Sequence, residues 1–308
     1  MIFHYLKIAF RNLCKHKTQN IISIIGLAVG LLCFCVCIYC SRFVESTDHC
    51  FANHDRIAEL NLYDGKADRY FSGSPVPLAE ELRTWSLGET EAISSVTYPR
   101  ERPYYVELSP EKTLPYELET IEIDTCYNKI FTPEMVAGHW KMASQSLNSV
   151  ILSQSMAIKI FGNAESAIGK HMTLMRRLNT SPESTPKTGG IVYIIQAVMK
   201  DIPLNNSLDF MQNIDMLTVN DSEGLLQSPK RHNMTGANTY VLLSPQTTCT
   251  DLEKRFFQRD YTYTLYGEAY TVTANSMGAT LKKQGASYLG LVTGIIGTLI
   301  LLVGLINF

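Results

Sequence analysis

The run IISIIGLAVGLLCFCVCIYC, at residues Ile21–Cys40, is predominantly apolar and contains no charged side chain. A second run with the same properties, LGLVTGIIGTLILLVGLINF, occupies Leu289–Phe308. An α-helix rises about 1.5 Å per residue, so each run is long enough to cross the hydrocarbon core of a bilayer, which is ~30 Å thick. The sequence therefore predicts a membrane protein with two transmembrane helices, at 20–41 and 288–308, that flank a large domain at 42–287.

The charges around the first run predict its orientation. Basic residues precede it, and no acidic residue occurs before Glu45. Cytoplasmic segments next to a membrane span are enriched in Lys and Arg. We therefore expect the N-terminus to be cytoplasmic and the domain at 42–287 to be extracytoplasmic.

A cleaved signal peptide is the alternative interpretation of the first run, because it also combines a basic start with an apolar core. The apolar core of a signal peptide has about 7–15 residues, which is shorter than Ile21–Cys40. No small-residue cleavage pattern follows within Ser41–His49. Both features favour a membrane anchor that is retained.

Residues 1–19 show a helical pattern of their own. Their apolar side chains recur every three or four residues, and basic side chains lie on another face: Lys7, Arg11 and Lys15. This pattern predicts a cytoplasmic amphipathic helix whose basic face contacts membrane lipid. A solvated basic segment with chance periodicity is the alternative.

The composition argues against several functional classes. The formal net charge is −2, and the segment outside the membrane is acidic, which does not favour nucleic-acid binding. Its three cysteines, at wide spacing, do not form a disulfide framework. No motif of a metalloprotease, a serine hydrolase or a phosphate-binding loop occurs. The cluster His49, Cys50, His54 and Asp55 is more typical of a solvated stalk than of a metal site.

Between the two spans, short strand-like segments alternate with amphipathic helices, which predicts an α+β domain. Ile191–Met199 has the strongest strand pattern. Val150–Leu152 forms a short apolar strand, after which Ser153 is placed to cap a helix that ends at Gly162. A structural role is therefore expected for these two residues.

The two spans contain glycines at a spacing of four residues. Gly26 and Gly30 form one G-x-x-x-G motif, and Gly290 and Gly294 form another. Small residues allow helix backbones to approach closely in lipid. These glycines are predicted to pack one span on the other or on a second copy, although glycine is also generally frequent in membrane helices.

Several segments, in this order, resemble a known family. They are Leu6–Leu13, Ile24–Gly30, Ser149–Ala157, Lys159–Gly162, Ile168–Lys170, Val198–Pro203 and Asn206–Ser207, together with Asp124, Tyr127, Phe131 and Gly138. The chain resembles the N-terminal part of MacB-type, or FtsX-like, ABC transporter permeases, including their periplasmic core domain. The residues of the resemblance to which we assign a folding role are Ser153, Ala157, Phe161, Gly162, Gly169, Asp201 and Pro203.

The resemblance implies a permease subunit that couples a cytoplasmic ABC ATPase to an extracytoplasmic domain for efflux or envelope export, a process called mechanotransmission. It implies a bacterial inner-membrane, multi-pass protein without enzymatic activity or cofactor, which contacts membrane lipid and a periplasmic adaptor and acts as a homodimer. Two subdomains are expected: a porter-like one, about 45–117 plus 208–287, and an inserted one, about 118–207.

Members of this family continue with two more spans, whereas this chain stops at Phe308. We therefore interpret it as a fragment of a four-span permease or as a truncated gene product. Two alternative functions fit the same layout. One is a membrane-tethered extracytoplasmic sensor, and the other is a regulator of an envelope enzyme.

Overall fold

A computed structural model describes residues 17–71, 73–109, 112–174, 190–209, 212–222, 224–227, 235–279, 291, 294–300 and 302. Contacts between Cα atoms divide the chain into two units. One contains both predicted membrane spans, and the other is Asp48–Gly278. The second unit lies within the stretch 42–287 for which the sequence predicts one large domain.

The first membrane helix, α1, runs from Lys17 to Glu45 and is therefore longer than the predicted 20–41. Among the described residues, its segment Ile24–Glu45 is the one helix that is long and apolar enough to cross a membrane. Residues 294–300 of the second predicted span are helical. Most of the predicted helix at 1–19 lies outside the described residues, and 17–19 belong to α1.

An antiparallel sheet forms one half of the Asp48–Gly278 unit, in the strand order β4-β12-β1-β14-β13. Helices α2 and α6 cover one face, and their apolar side chains share a core with the strands. Burying apolar area of this kind is the main force that holds a helix to a sheet. The elements are β1 (Ile57–Asp64), α2 (Pro77–Thr84), β4 (Thr90–Thr97), β12 (Thr235–Leu243), α6 (Cys249–Gln258), β13 (Thr262–Leu265) and β14 (Glu268–Ser276).

Six further strands close into a ring, in the order β11-β8-β10-β9-β5-β6, because β6 also pairs with β11. The β8–β10 and β6–β11 pairs are parallel, and the other pairs are antiparallel. Closure removes the free strand edges that would otherwise be open to another chain. The strands are β5 (Arg100–Ser109), β6 (Lys112–Ile123), β8 (Ser149–Ser153), β9 (His171–Leu174), β10 (Val192–Met199) and β11 (Met216–Val219).

The ring joins the sheet at one end of β6, where Ile123 pairs with Val96 of β4. A core that includes Tyr127, Phe131, Met199 and Tyr240 packs around this junction. The remaining elements are β2 (Arg69–Tyr70), which pairs with β1, β3 (Ser74–Pro75), which pairs with β12, β7 (Met135–Gly138), which pairs with β10, and the helices α3 (Tyr127–Phe131), α4 (Trp140–Gln145) and α5 (Gln154–Phe161).

The strand pairing divides the domain at other positions than the expected subdomain boundaries. We expected the inserted part at about 118–207, but β5 and the first half of β6 precede residue 118 and already belong to the ring. β11, after residue 207, also belongs to it. The division therefore lies between β4 and β5 and again after β11. The sequence pattern of β5 and β6 shows that they are strands but not which partners they take, because pairing is a long-range property.

Candidate functional site

The described residues contain no group of three or more His, Cys, Asp or Glu side chains that could hold a metal ion. In the cluster singled out from the sequence, the rings of His49 and His54 lie 4.4 Å apart. His54 Nε2 lies 3.2 Å from a carboxylate oxygen of Asp55. The contact between the two predicted spans and the contacts that hold the domain together are the other candidate functional features.

The two helices predicted to span the membrane contact each other at glycines. Gly30 is buried, and a Cβ atom at this position would lie 3.2 Å from Cγ2 of Ile300 and 3.3 Å from its backbone carbonyl. On the opposite helix, a Cβ atom at Gly297 would lie 3.3 Å from Cα of Phe34 and 3.4 Å from Sγ of Cys37. The backbones therefore approach closely because both positions lack a side chain.

The other predicted packing glycines lie elsewhere. Among the described residues, a Cβ atom at Gly26 or Gly294 would meet nothing within 4 Å, so packing at these two glycines stays a prediction. Gly290 lies outside the described residues, as do the basic residues predicted to contact lipid, Lys7, Arg11 and Lys15. Their roles stay predictions.

We predict that Gly30→Val separates the two spans, because its branched side chain would overlap Ile300 at a cost of about 1–3 kcal/mol. Pulsed EPR between spin labels on the exposed residues Ile25 and Leu299, in an otherwise cysteine-free chain in nanodiscs, should show a longer and broader distance distribution. Gly26→Val is the matched control and should leave the distribution unchanged. An unchanged distribution in Gly30→Val would contradict the contact.

The residues that carry the family resemblance lie around helix α5. The Ser153 side chain accepts a hydrogen bond from the Met156 amide at 3.4 Å, and Asp201 accepts one from the Ser155 amide at 3.0 Å. These two bonds satisfy amides that the helix cannot pair internally. At the other end, Gly162 adopts φ +86 and ends the helix in the left-handed conformation.

The other residues of this set have contacts in the same part of the domain. Ala157 is fully buried in the core of the ring, and Phe161 packs against it. The Gly169 amide donates to the carbonyl of Ile195 at 2.8 Å and has φ +77. The carbonyl of Pro203 accepts a hydrogen bond from the Asn206 side chain at 2.6 Å. The described residues therefore place this set in the packing of α5, β8 and β10.

Asp124, which is part of the family resemblance, connects several elements of the domain through its carboxylate. Its carboxylate accepts hydrogen bonds from the Ser94 hydroxyl at 2.7 Å and from the amides of Ser95 and Cys126, both at 2.9 Å. It also accepts a hydrogen bond from the Arg83 guanidinium. One carboxylate thus links α2, β4 and α3 where the ring joins the sheet.

Glu122 is a buried carboxyl group that the sequence reasoning did not single out. Its two oxygens accept hydrogen bonds from the amides of Leu225 and Leu226, at 2.6 and 2.8 Å. Burial, followed by the nearby charge of Asp221, raises its pKa to about 7. The sequence carries no clear signal for this burial, because Glu122 alternates with Ile121 and Ile123, a pattern that usually puts the polar side chain on the exposed face of a strand.

A second polar group lies beside Glu122. The Tyr193 hydroxyl donates to Asp221 at 2.9 Å, and Arg102 lies 3.7 Å from the other oxygen of this carboxylate. Burial raises the pKa of Tyr104 to about 12, so it stays protonated at neutral pH. Tyr193, Asp221 and Arg102 are held within the ring by charge pairing and a hydrogen bond, which is the usual condition for burying polar side chains.

The buried carboxyl groups predict how stability depends on pH. Burial also raises the pKa of Glu59 to about 7, with the charge of Asp48 contributing. Because the folded state then holds protons that the unfolded state has released, the free energy of unfolding should fall as pH rises from about 4.5 to about 7. For Glu122 the expected loss is on the order of 3 kcal/mol.

We expect Glu122→Gln to remove this contribution, so that the variant loses less stability than the wild type between pH 5 and pH 8. Denaturant unfolding of the detergent-solubilised chain at several pH values measures the difference. Glu117→Gln, on the exposed face of the same strand, is the control and should follow the wild type. Parallel curves for the Glu122 variant and the wild type would show that Glu122 does not titrate in this range.

The architecture can now be compared with known proteins. A structure described as a domain of a permease protein from Porphyromonas gingivalis matches with a TM-score of 0.55 and 20% sequence identity, covering 74% of this chain and 93% of that structure. The described domain has the fold of a bacterial permease domain. At this identity the similarity establishes the fold, while residue roles have to be argued from this chain.

Two other matches to the permease-type domain are weaker. The periplasmic region of MacB from Actinobacillus actinomycetemcomitans has a TM-score of 0.48 and 14% identity, covering 76% of this chain and 94% of that structure. The extracellular domain of the noncanonic ABC-type transporter YknZ from Gram-positive bacteria has a TM-score of 0.43 and 12% sequence identity. This match covers 71% of this chain and 99% of that structure. No family model and no curated protein matches the chain. The resemblance to permeases, drawn from sequence motifs, agrees with the permease-domain fold of the Porphyromonas gingivalis structure.

Proposed function

We propose that this chain is the permease subunit of an ABC transporter of the mechanotransmission type. In this proposal a cytoplasmic ATPase moves the membrane helices, and the helices move the extracytoplasmic domain. The observation that carries it is a permease-type domain fold at Asp48–Gly278 directly after a helix that can cross a membrane.

The packing of the membrane helices supports this role. At Gly30 and Gly297, the backbone of each helix lies close to the backbone and side chains of the other helix. Such close packing allows the two helices to move as one body. A sensor or a regulator of an envelope enzyme would have the same layout of spans, but the permease-type fold favours transport.

The finer parts of the proposal follow from the family resemblance. ATP hydrolysis takes place in the partner subunit, and the permease is a multi-pass protein of the bacterial inner membrane with its N-terminus in the cytoplasm. The basic face before α1 contacts lipid headgroups, two copies form the working unit, and a periplasmic adaptor contacts the extracytoplasmic domain. Efflux or envelope export is the process served.

Co-purification tests the proposal. The protein, tagged and extracted from its own cells in mild detergent, should bring with it a cytoplasmic ABC ATPase in a fixed ratio, which mass spectrometry identifies. A chain in which Gly30→Val disrupts the span contact should retain less of this ATPase than the Gly26→Val control. If an ATPase is abundant in the same membranes and is not retained even after chemical cross-linking, the permease function is contradicted.

A further inference from the structure

Three segments of the extracytoplasmic domain meet at the carboxylate of Asp48. This residue follows α1 closely in the sequence and begins the domain. Its carboxylate accepts hydrogen bonds from the amide of Ser207, at 2.6 Å, and from the Ser207 hydroxyl. The Asp48 amide donates to the carbonyl of Asn205 at 3.0 Å. Both Ser207 and Asn205 belong to the loop that joins β10 to β11, two strands of the ring.

The third segment is the end of the domain. Gly278 is its last residue and has φ +73, a conformation that favours glycine. A Cβ atom at this position would lie 2.6 Å from Oδ2 of Asp48 and 3.1 Å from Oγ of Ser207. The chain can therefore pass the Asp48–Ser207 pair only because residue 278 has no side chain. We call the three residues Asp48, Ser207 and Gly278 the clasp.

Asp48, the central residue of the clasp, is buried and has a strained backbone. Asp48 is 2% exposed and has φ +71. This backbone conformation is unfavourable for any residue other than glycine, and it persists only where the surrounding structure imposes it. Here the surroundings include four hydrogen-bonding groups from two loops: the Asn205 carbonyl, the Ser207 amide and hydroxyl, and the Phe51 amide, which donates to the Asp48 carbonyl at 3.0 Å.

The strand topology places the clasp between the two ends of the domain and the ring. The first and last strands of the domain, β1 and β14, pair with each other, for example through Ala58 and Ser276. Both ends of the domain therefore belong to the sheet. The ring pairs with this sheet through Val96 of β4 and Ile123 of β6. Ile123 is at the end of β6 that lies away from the turn between β5 and β6. The clasp is a second link between them, and it lies where the chain enters and leaves the domain.

We infer that the Asp48–Ser207–Gly278 clasp transmits movement of the membrane helices to the ring of strands. This inference rests on the proposed permease function and names positioning residues for it. A pull or twist on either end of the domain reaches the β10–β11 loop through the buried hydrogen bonds of Asp48. A purely structural clasp would stabilise the domain without affecting how it responds to nucleotide.

Hydrogen exchange, measured by mass spectrometry on the permease–ATPase complex in nanodiscs, separates the two roles. Exchange is compared between the nucleotide-free complex and the complex trapped with ATP and vanadate. In the wild type, peptides of β8, α5 and β10 should change protection between the two states. In Gly278→Ala, where the new methyl group forces Asp48 and Ser207 apart, most of this difference should be lost while ATP hydrolysis continues.

The chain offers matched controls for this experiment. Gly267→Ala places the same methyl group at a glycine with φ +84 and nothing within 4 Å, and its response should equal that of the wild type. Asp48→Ala should lose the response, whereas Asp48→Asn, which keeps an acceptor oxygen for the Ser207 amide, should recover part of it. Ser207→Ala removes the hydroxyl alone and is the mildest variant if the others fold poorly.

The outcomes distinguish the inference from the proposed function. If Gly278→Ala and Asp48→Ala raise exchange equally in both nucleotide states and keep the full difference between them, the clasp is only structural and the inference is overturned. If the wild-type complex binds and hydrolyses ATP without any change in the ring, the proposed function itself fails.

Discussion

Asp124→Ala is expected to lower the free energy of unfolding by about 3–5 kcal/mol, a large share of the stability of a typical domain. The substitution removes the acceptor of the Ser94 hydroxyl and of the amides of Ser95 and Cys126. It also leaves the partly buried guanidinium of Arg83 without this carboxylate. Denaturant unfolding of the detergent-solubilised chain, followed by tryptophan fluorescence, measures the loss.

Two further variants show whether the loss comes from the carboxylate. Asp124→Asn keeps the shape and one acceptor oxygen and should cost clearly less than Asp124→Ala. In a double-mutant cycle, Arg83→Met and Asp124→Ala should be strongly non-additive, because the two side chains interact directly. Glu117→Ala, at an exposed strand position, should have little effect. Additive losses from Arg83 and Asp124 would show that the ion pair does not link α2 to the junction.

Gly138→Ala is the second substitution for which we expect a large effect, about 3–5 kcal/mol. Gly138 has φ +70, and a Cβ atom there would overlap the carbonyl oxygen of Gln196 and lie 2.8 Å from Cα of Ala197. The obstacle is backbone, at a point where β10 changes register between Ile195 and Ala197 to pair with β8. It cannot move aside without breaking the pairing of β7 and β8 with β10.

Gly162→Ala is the matched control for strain without a clash. Gly162 has φ +86 and nothing within 4 Å of a Cβ atom, so its substitution should cost only about 1–2 kcal/mol. In thermal unfolding followed by circular dichroism, the midpoint temperature of Gly138→Ala should therefore be well below that of Gly162→Ala. The midpoint of Gly162→Ala should be slightly below that of the wild type. Equal losses at the two positions would show that β7 can move away from β10.

The parts of the fold that follow from local rules could be predicted from the sequence. Helix α5 is an example, because Ser153 at its start and Gly162 at its end are signals read from a few neighbouring residues. The strand at Ile191–Met199 is another, since a dense apolar run of this length is typical of a buried strand.

The parts that depend on distant contacts could not be predicted. The short strands β7, β9 and β13 were missed, because each has four residues and too little pattern of its own. Closure of the ring rests on the pairing of β6 with β11, whose partners are about a hundred residues apart. The clasp at Asp48 could not be predicted, because Ser207, although part of the family resemblance, and Gly278 become its neighbours only in the fold.

Side-specific labelling of the permease–ATPase complex tests the central claim most directly. The complex is reconstituted into sealed liposomes with the ATPase outward, in a chain that keeps a single cysteine at the exposed position Ala67→Cys. We expect a membrane-impermeant maleimide to label this cysteine only after the liposomes are opened. In a second chain, which keeps native Cys14 as its single cysteine, we expect labelling without opening. Labelling of residue 67 in sealed liposomes would place the domain on the same side as the ATPase and contradict the account.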